Sequence, residues 1–154
     1  MEKKIGIEVA IREINEISFN LNPIPIPIEQ IKLGENLNLG MGFRFDVDIE
    51  MGVLKFYTLV HYSISEQLEP IIKLESEIIF EIKNLSLVVS QEDVKQLKIE
   101  NGFLETLAGV CIGTTRGLLA SNLKGSPMAK FPLPILIPKE IIGRMNDGSW
   151  GKSE

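Results

Sequence analysis

Apolar and polar residues alternate without interruption between Asn36 and Met51, and this pattern constrains the fold more than any other feature of the chain. The apolar positions are Leu37, Leu39, Met41, Phe43, Phe45, Val47, Ile49 and Met51. Successive side chains of a strand point to opposite faces, so the stretch predicts a strand with one apolar and one wet face. Such strands are typical of antiparallel sheets. Gly40 and Gly42 lie on the wet side, where they predict a bulge or bend.

Three other stretches have strand character. We predict an α+β protein with a four-stranded antiparallel sheet, its strands near 11–21, 36–51, 53–64 and 71–83. The third of these strands is apolar on both faces, so we place it in the interior of the sheet. A closed antiparallel barrel, capped by a helix, is the alternative architecture.

One long helix is predicted over residues 103–124, where apolar residues recur mostly at helical spacing. A cation and a glycine, Lys124 and Gly125, mark its end, and Ser126-Pro127 prevents it from resuming. The sequence predicts that this helix packs on the sheet. Ser90 followed by Asp93 resembles a capping signal and predicts a further short helix near 92–97.

Small residues recur every four positions on the long helix, at Gly109, Gly113, Gly117 and Ser121. Each interior glycine costs about 0.5–1 kcal/mol of helix stability relative to alanine. We therefore predict that another backbone approaches this stripe closely, namely the same helix of a second copy in an oligomer. Contact with the protein's own sheet is the alternative.

Two extended, proline-punctuated apolar segments flank these elements, the connector Pro23–Leu33 and the segment Phe131–Ile137. Their prolines exclude both a helix and an interior strand. We predict that they form the two walls of a groove that binds unfolded polypeptide. The proposed contact residues are Ile24, Ile26, Ile28, Ile31, Leu33, Phe131, Leu133 and Ile135. The alternative is that these segments only cover the protein's own core.

Composition limits the class of protein. The 154 residues suit one domain, which we place at 1–145, and the polar stretch 146–154 is predicted to be disordered. A net charge of −5 without a basic cluster argues against nucleic acid as a partner. No apolar run is long enough for membrane insertion. The single Cys111 forms no intrachain disulfide, which fits the reducing cytoplasm.

Residues that carry chemistry are sparse, and we predict no enzyme, no metal site and no cofactor. His61 is the only histidine and lies in a strand pattern, so a structural role is expected. Cys111 lies on the apolar side of the long helix, where packing explains it. Asp46, Asp48 and Glu50 share a strand face, but a solvated strand face shows the same spacing.

The C-terminal half resembles the SecB export-chaperone family. The resemblance rests on Arg116-Gly117-Leu118-Leu119, Gly125, the run Phe131–Pro138 and Ile141-Ile142. In that family a helix that bears an arginine ends at a glycine, and a proline-punctuated apolar segment and a short final helix follow. As a motif the resemblance covers residues 113–142, and the order of the elements extends it over most of the chain.

The resemblance implies a dimer of dimers with long helices between the sheets, and ATP-independent holding of unfolded polypeptide. Such a protein serves export or protects an antitoxin-like partner. The stretch Ser149–Glu154 lacks the cysteine- and histidine-bearing element with which typical members engage the SecA motor through zinc, so SecA coupling is not implied. The alternative function is a non-catalytic oligomeric scaffold that keeps its apolar segments permanently buried.

Overall fold

A computed structural model describes residues 7–65, 67–93 and 96–146. Four long strands form one sheet, namely β1 (Glu8–Leu21), β2 (Leu37–Asp48), β3 (Val53–Ile64) and β4 (Ile72–Lys83). A short hairpin follows, made of β5 (Val89–Asp93) and β6 (Gln96–Ile99), and then helices α1 (Asn101–Leu123) and α2 (Pro138–Asn146). The predicted α+β architecture, a four-stranded antiparallel sheet with a long helix, is confirmed.

The sheet is open, with the strand order β1-β4-β3-β2 and antiparallel pairing throughout. The alternative of a closed barrel is therefore wrong. Strand β3 lies between β4 and β2, as its two apolar faces predicted. The connector after β1 must cross to the far edge of the sheet, because β1 and β2 are the two edge strands.

Strand β2 pairs with β3 without a register shift, so the prediction of a bulge at Gly40 and Gly42 is wrong. The physical reason for Gly40 is a side chain on the facing strand: a Cβ at this position would lie 2.2 Å from ring atoms of His61. The strand ends at Asp48 rather than Met51, because the chain turns there. Gly52 has a φ of 64°, and the backbone N–H of Met51 donates to Asp48 Oδ1 at 3.0 Å.

Helix α1 covers the sheet with side chains three and four residues apart, the spacing that places them on one helix face. Its fully buried residues include Leu107, Ala108, Cys111 and Leu119. The Glu100 side chain accepts from the backbone N–H of Gly102 at the first turn, so Asn101 and Gly102 begin the helix rather than precede it. At the other end Gly125 has a φ of 85°, which confirms the predicted glycine stop.

The short helix predicted near 92–97 is wrong, because β5 and β6 pair there as an antiparallel hairpin. Gln96, Leu97, Lys98 and Ile99 alternate polar and apolar residues with period two. That strand pattern, together with pairing to β5, outweighs the capping signal. The predicted disordered stretch 146–154 lies outside the described residues except for Asn146, the last residue of α2.

Candidate functional site

The connector and the C-terminal segment pack on the same hydrophobic core. Ile31 and Leu133 are buried members of that core, with exposed fractions of 5% and 2%. The connector is not extended along its whole length as predicted, because a 3-10 turn forms at Ile28–Gln30. No hydrogen bond within the described part of the chain joins the connector to the 131–137 segment, so any groove between them is bounded by packing alone.

The eight predicted peptide-binding residues divide into three groups. Ile31 and Leu133 lie inside the protein's own core, so neither presents a surface to a partner in this structure. The half-buried group consists of Ile24, Ile26, Ile28 and Phe131. Leu33 and Ile135 are exposed, the latter by 92%. Ile137, which follows in the same segment, is 54% exposed. A binding role for the exposed and half-buried residues stays a prediction.

Side chains, rather than a strand, hold the C-terminal segment in place. The Tyr62 hydroxyl donates to the Phe131 carbonyl at 3.1 Å. Arg116 donates from Nε to the Leu133 carbonyl at 2.9 Å and from Nη2 to the Pro134 carbonyl at 2.8 Å. Burial raises the pKa of Tyr62 to about 12, so its hydroxyl stays protonated and able to donate at neutral pH.

A second apolar surface lies on the edge strand β1. Val9, Ile11, Ile14, Ile17 and Leu21 are each between 40% and 52% exposed. All but Ile17 stand opposite buried β4 residues, namely Ile82, Phe80, Ile78 and Ile72. Residues opposite each other in a sheet share a face, so this row continues the core-facing side of the sheet beyond the area that α1 covers.

The small-residue stripe of α1 faces away from the sheet. A Cβ added at Gly113 or Gly117 would meet nothing within 4 Å, and Ser121 is exposed. The alternative that these glycines pack on the protein's own sheet is therefore wrong. A Cβ at Gly109 would lie 3.6 Å from the Pro138 side chain, so this glycine faces the start of α2 in the same chain. Whether a second copy approaches the stripe stays a prediction.

His61 and Cys111, the ionisable groups named from the sequence, lie among packed side chains. Burial, and secondarily the charge of Lys73, lower the pKa of His61. Burial raises the pKa of the Cys111 thiol to about 12, as expected for a packed side chain. Within residues 7–65, 67–93 and 96–146, no three His, Cys, Asp or Glu side chains cluster in a way that could hold a metal ion. No helix of this described part is long and apolar enough to span a membrane.

Comparison with solved structures finds a likeness at the level of the fold. The fold is similar to that of a SecB-like chaperone. That structure is the Mycobacterium tuberculosis Rv1957 SecB-like chaperone, in complex with a ChAD peptide from the Rv1956 HigA1 antitoxin. The two chains are 14% identical, with a TM-score of 0.45, over 83% of this chain and 90% of the other. No family model and no curated protein matches the chain.

Sequence reasoning missed two features of this surface. It placed Arg116 in a motif without identifying the carbonyl oxygens that the guanidinium binds, since no local pattern connects residue 116 with residues 133 and 134. It also predicted β1 only as a strand, without the exposure of its apolar row. A signal was present there, because the large apolar residues of the stretch 7–21 are symmetric about Ile14.

Proposed function

We propose that this protein is a non-enzymatic, ATP-independent chaperone that holds unfolded polypeptide on the exposed part of its C-terminal apolar segment. The observation that carries the proposal is the exposure of Ile135 and Ile137 immediately after the buried anchor Leu133. Large aliphatic side chains that a folded core holds toward solvent are typical of an interaction surface. On the connector, Leu33 is a further exposed apolar side chain.

Binding on such a surface needs no energy source. Burial of apolar area contributes about 25 cal/mol of binding free energy per Å². This contribution depends only weakly on which apolar side chain is buried. The clients that this chemistry selects are therefore extended chains with exposed aliphatic or aromatic residues. We propose cytoplasmic clients, either precursors destined for export or one aggregation-prone, antitoxin-like partner. Coupling to SecA is not part of this proposal.

Replacing Ile135 and Ile137 together by serine tests this function. Both side chains are exposed, so the double variant should stay folded and should fail to suppress aggregation of a denatured test protein. The matched control replaces Met51 and Leu68 by serine, because these residues are exposed by 69% and 103% and lie in the β2–β3 and β3–β4 turns. Equal suppression by the two double variants would refute the assignment to residues 135–137.

Leu133 is unsuitable for this test. Truncating a buried leucine costs about 2–5 kcal/mol, and a serine hydroxyl without a partner adds to that loss. A Leu133→Ser variant would therefore lose activity through unfolding, whatever its role in binding. We expect its thermal midpoint to fall by many degrees, and circular dichroism melting measures this directly.

A permanently closed scaffold is the second candidate function. The burial of Ile31 and Leu133 and the partial burial of their neighbours favour it, because most of both apolar segments already covers the core. Fluorescence of an apolar dye on the native protein separates the two functions. A chaperone surface should bind the dye, and the Ile135→Ser, Ile137→Ser variant should bind less of it. If the protein is a closed scaffold, neither the parent protein nor the variant should raise the fluorescence of the dye.

We further propose that the protein assembles as a dimer of dimers. Such an assembly needs two different interfaces. In each of them a surface contacts the same surface on another copy of the protein, related by a two-fold axis. The outward face of α1 is one candidate, since the only charged residues of this helix are Glu105 and Arg116. Exposed glycines at 113 and 117 leave room for a neighbouring backbone. The edge of β1 is the other candidate.

The β1 edge complements itself when two copies pair antiparallel about Ile14. Every large apolar residue of the strand and of the position before it then faces another, as Ile7 with Leu21, Val9 with Phe19, and Ile11 with Ile17. Arg12 faces Glu16 of the other copy twice, once on each side of the symmetry axis. The resulting eight-stranded sheet would join the two exposed apolar rows and satisfy backbone groups that no described strand pairs with.

A further inference from the structure

The Arg116 guanidinium binds backbone carbonyl oxygens rather than a carboxylate. Of the three ion pairs in the described part of the chain, none involves this residue. Its guanidinium instead donates to two successive carbonyl oxygens, at 2.9 Å and 2.8 Å. A guanidinium presents several N–H donors in a fixed planar fork, so one side chain can satisfy two neighbouring acceptors. Hydrogen bonds with a charged donor are stronger than those between neutral groups.

The segment needs such support because it cannot join a sheet. Pro132 and Pro134 have no N–H, which removes alternate donors from any ladder. Side chains therefore replace the ladder, since Tyr62 holds the carbonyl of Phe131 while Arg116 holds those of Leu133 and Pro134. Tyr62 and Leu133 are both buried, so this attachment is part of the core.

The hydrogen-bonded part of the attachment ends at Pro134, and the next hydrogen bonds of the segment lie at the start of α2. There the Ile137 carbonyl accepts from the N–H groups of Glu140 and Ile141, at 3.1 Å and 3.3 Å. Ile141 and Ile142 are buried, so α2 is anchored in turn. Residues 135–137 thus form a short bridge between two hydrogen-bonded points. The half-buried Leu136 packs against the core, whereas the side chains of Ile135 and Ile137 are exposed.

We propose that Arg116 is the positioning residue of the client-binding surface, because its fork holds the bridge 135–137 in one extended conformation. This inference rests on the proposed chaperone function. A bridge fixed in advance loses little conformational freedom when a client binds, and such preorganisation increases affinity without any added contact. Arg116 itself need not touch the client.

The test measures the order of the bridge directly. An Ile135→Cys variant introduces a thiol at a 92% exposed position, whereas the natural Cys111 is fully buried, so a nitroxide reagent labels the introduced thiol selectively. The spin-label spectrum then reports motion at position 135 in the Arg116→Met background. Arg44→Met is the matched control, because it removes the same charge from an exposed residue that lies over the Tyr57 ring.

We expect the label to become mobile in Arg116→Met and to stay unchanged in Arg44→Met. In proteins without the label, Arg116→Met should bind a reduced, carboxymethylated test polypeptide about tenfold more weakly than Arg44→Met does, a change of about 1.4 kcal/mol. If the methionine variant does not fold, Arg116→Lys replaces it, since lysine keeps the charge but lacks the planar fork.

Each other outcome overturns a specific part of the inference. An unchanged spectrum in the folded Arg116 variant shows that the fork does not position the bridge. A mobile label with unaltered affinity shows that the order of the bridge does not matter to the client. A parent protein that binds no unfolded polypeptide refutes the proposed function, and with it the role of Arg116 toward a client, even where the spectrum confirms that the fork holds the bridge.

Discussion

His61 shows how one residue couples packing to pH. Its ring fills the space above Gly40, and its strand neighbour in β4 is Lys73. Burial and that lysine both disfavour the protonated ring, so the pKa of His61 lies below its ordinary value of 6.5. The unfolded chain then binds more protons than the folded chain between the folded pKa and about pH 6.5.

The contribution of His61 to stability should therefore be complete above about pH 6.5 and should decrease as the pH falls through that value. We expect the parent protein to lose stability on going from about pH 7.5 to about pH 5.5, before most carboxylates titrate. A His61→Gln variant should show a shallower dependence. Urea unfolding midpoints at a series of pH values measure both slopes, and equal slopes would contradict the role given to His61.

Helix α1 carries two glycines, Gly113 and Gly117, that no other part of its own chain contacts closely. Gly113 and Gly117 are exposed, and each lowers helix stability by about 0.5–1 kcal/mol relative to alanine. In an isolated chain this cost has no compensation. Close approach of a second helix would compensate it, since glycine permits a shorter distance between the two backbones.

Gly113→Ala distinguishes the two situations. If the stripe is an interface, the added methyl group should shift the oligomer toward smaller species and lower the thermal midpoint at high protein concentration. Gly143→Ala is the matched control, because Gly143 lies in α2 and a Cβ there also meets nothing within 4 Å. We expect that control to gain about 0.5–1 kcal/mol through helix propensity alone.

Sedimentation and thermal melting at two protein concentrations provide the comparison. A Gly113→Ala protein that is stabilised like Gly143→Ala, with unchanged sedimentation, would show that the stripe contacts no other copy. The bulkier Gly113→Leu should dissociate the oligomer more completely while the far-UV circular dichroism stays native-like, because overpacking costs about 1–3 kcal/mol in a close contact.

At the scale of the whole molecule, the exposed β1 row suggests how two sheets join. The proposed pairing predicts a specific charge contact between Arg12 of one copy and Glu16 of the other. Arg12→Glu should weaken the dimer, because it places like charges opposite each other. The combined exchange Arg12→Glu with Glu16→Arg should restore the dimer, because it recreates the attraction with the signs reversed.

Dimer dissociation constants from analytical ultracentrifugation at low salt test this exchange. Within the same chain Arg12 lies 3.6 Å from Glu81, and Glu16 accepts a hydrogen bond from Asn122, so a loss in either single variant alone would be ambiguous. Rescue by the double variant is specific to the predicted register. If the double variant dimerises no better than Arg12→Glu and Glu16→Arg do singly, pairing about Ile14 is refuted, and the exposed row would have to serve another partner.

The sequence alone was sufficient for the features that depend on local periodicity and local backbone preference. Strand β3 spans Val53–Ile64 as predicted, and α1 ends just before the glycine that stops it. Alternation with period two and recurrence at helical spacing are properties of consecutive residues, so they survive in any context that buries one face. The wrong helix at 92–97 came from a local signal that pairing between two strands outweighed.

Which apolar residues are buried and which are exposed to solvent depends on tertiary packing. Leu133 and Ile135 belong to one proline-punctuated run, yet one is 2% exposed and the other 92%. Their difference depends on Tyr62 and Arg116, which bind the segment from positions far away in the sequence. In the same way the apolar row of β1 is exposed although it lies in a regular strand. Helix α1 lies over β3 and β4 and meets β1 at Glu16, to which Asn122 donates. Burial depends on what packs against a face, and a pattern of consecutive residues does not contain that information.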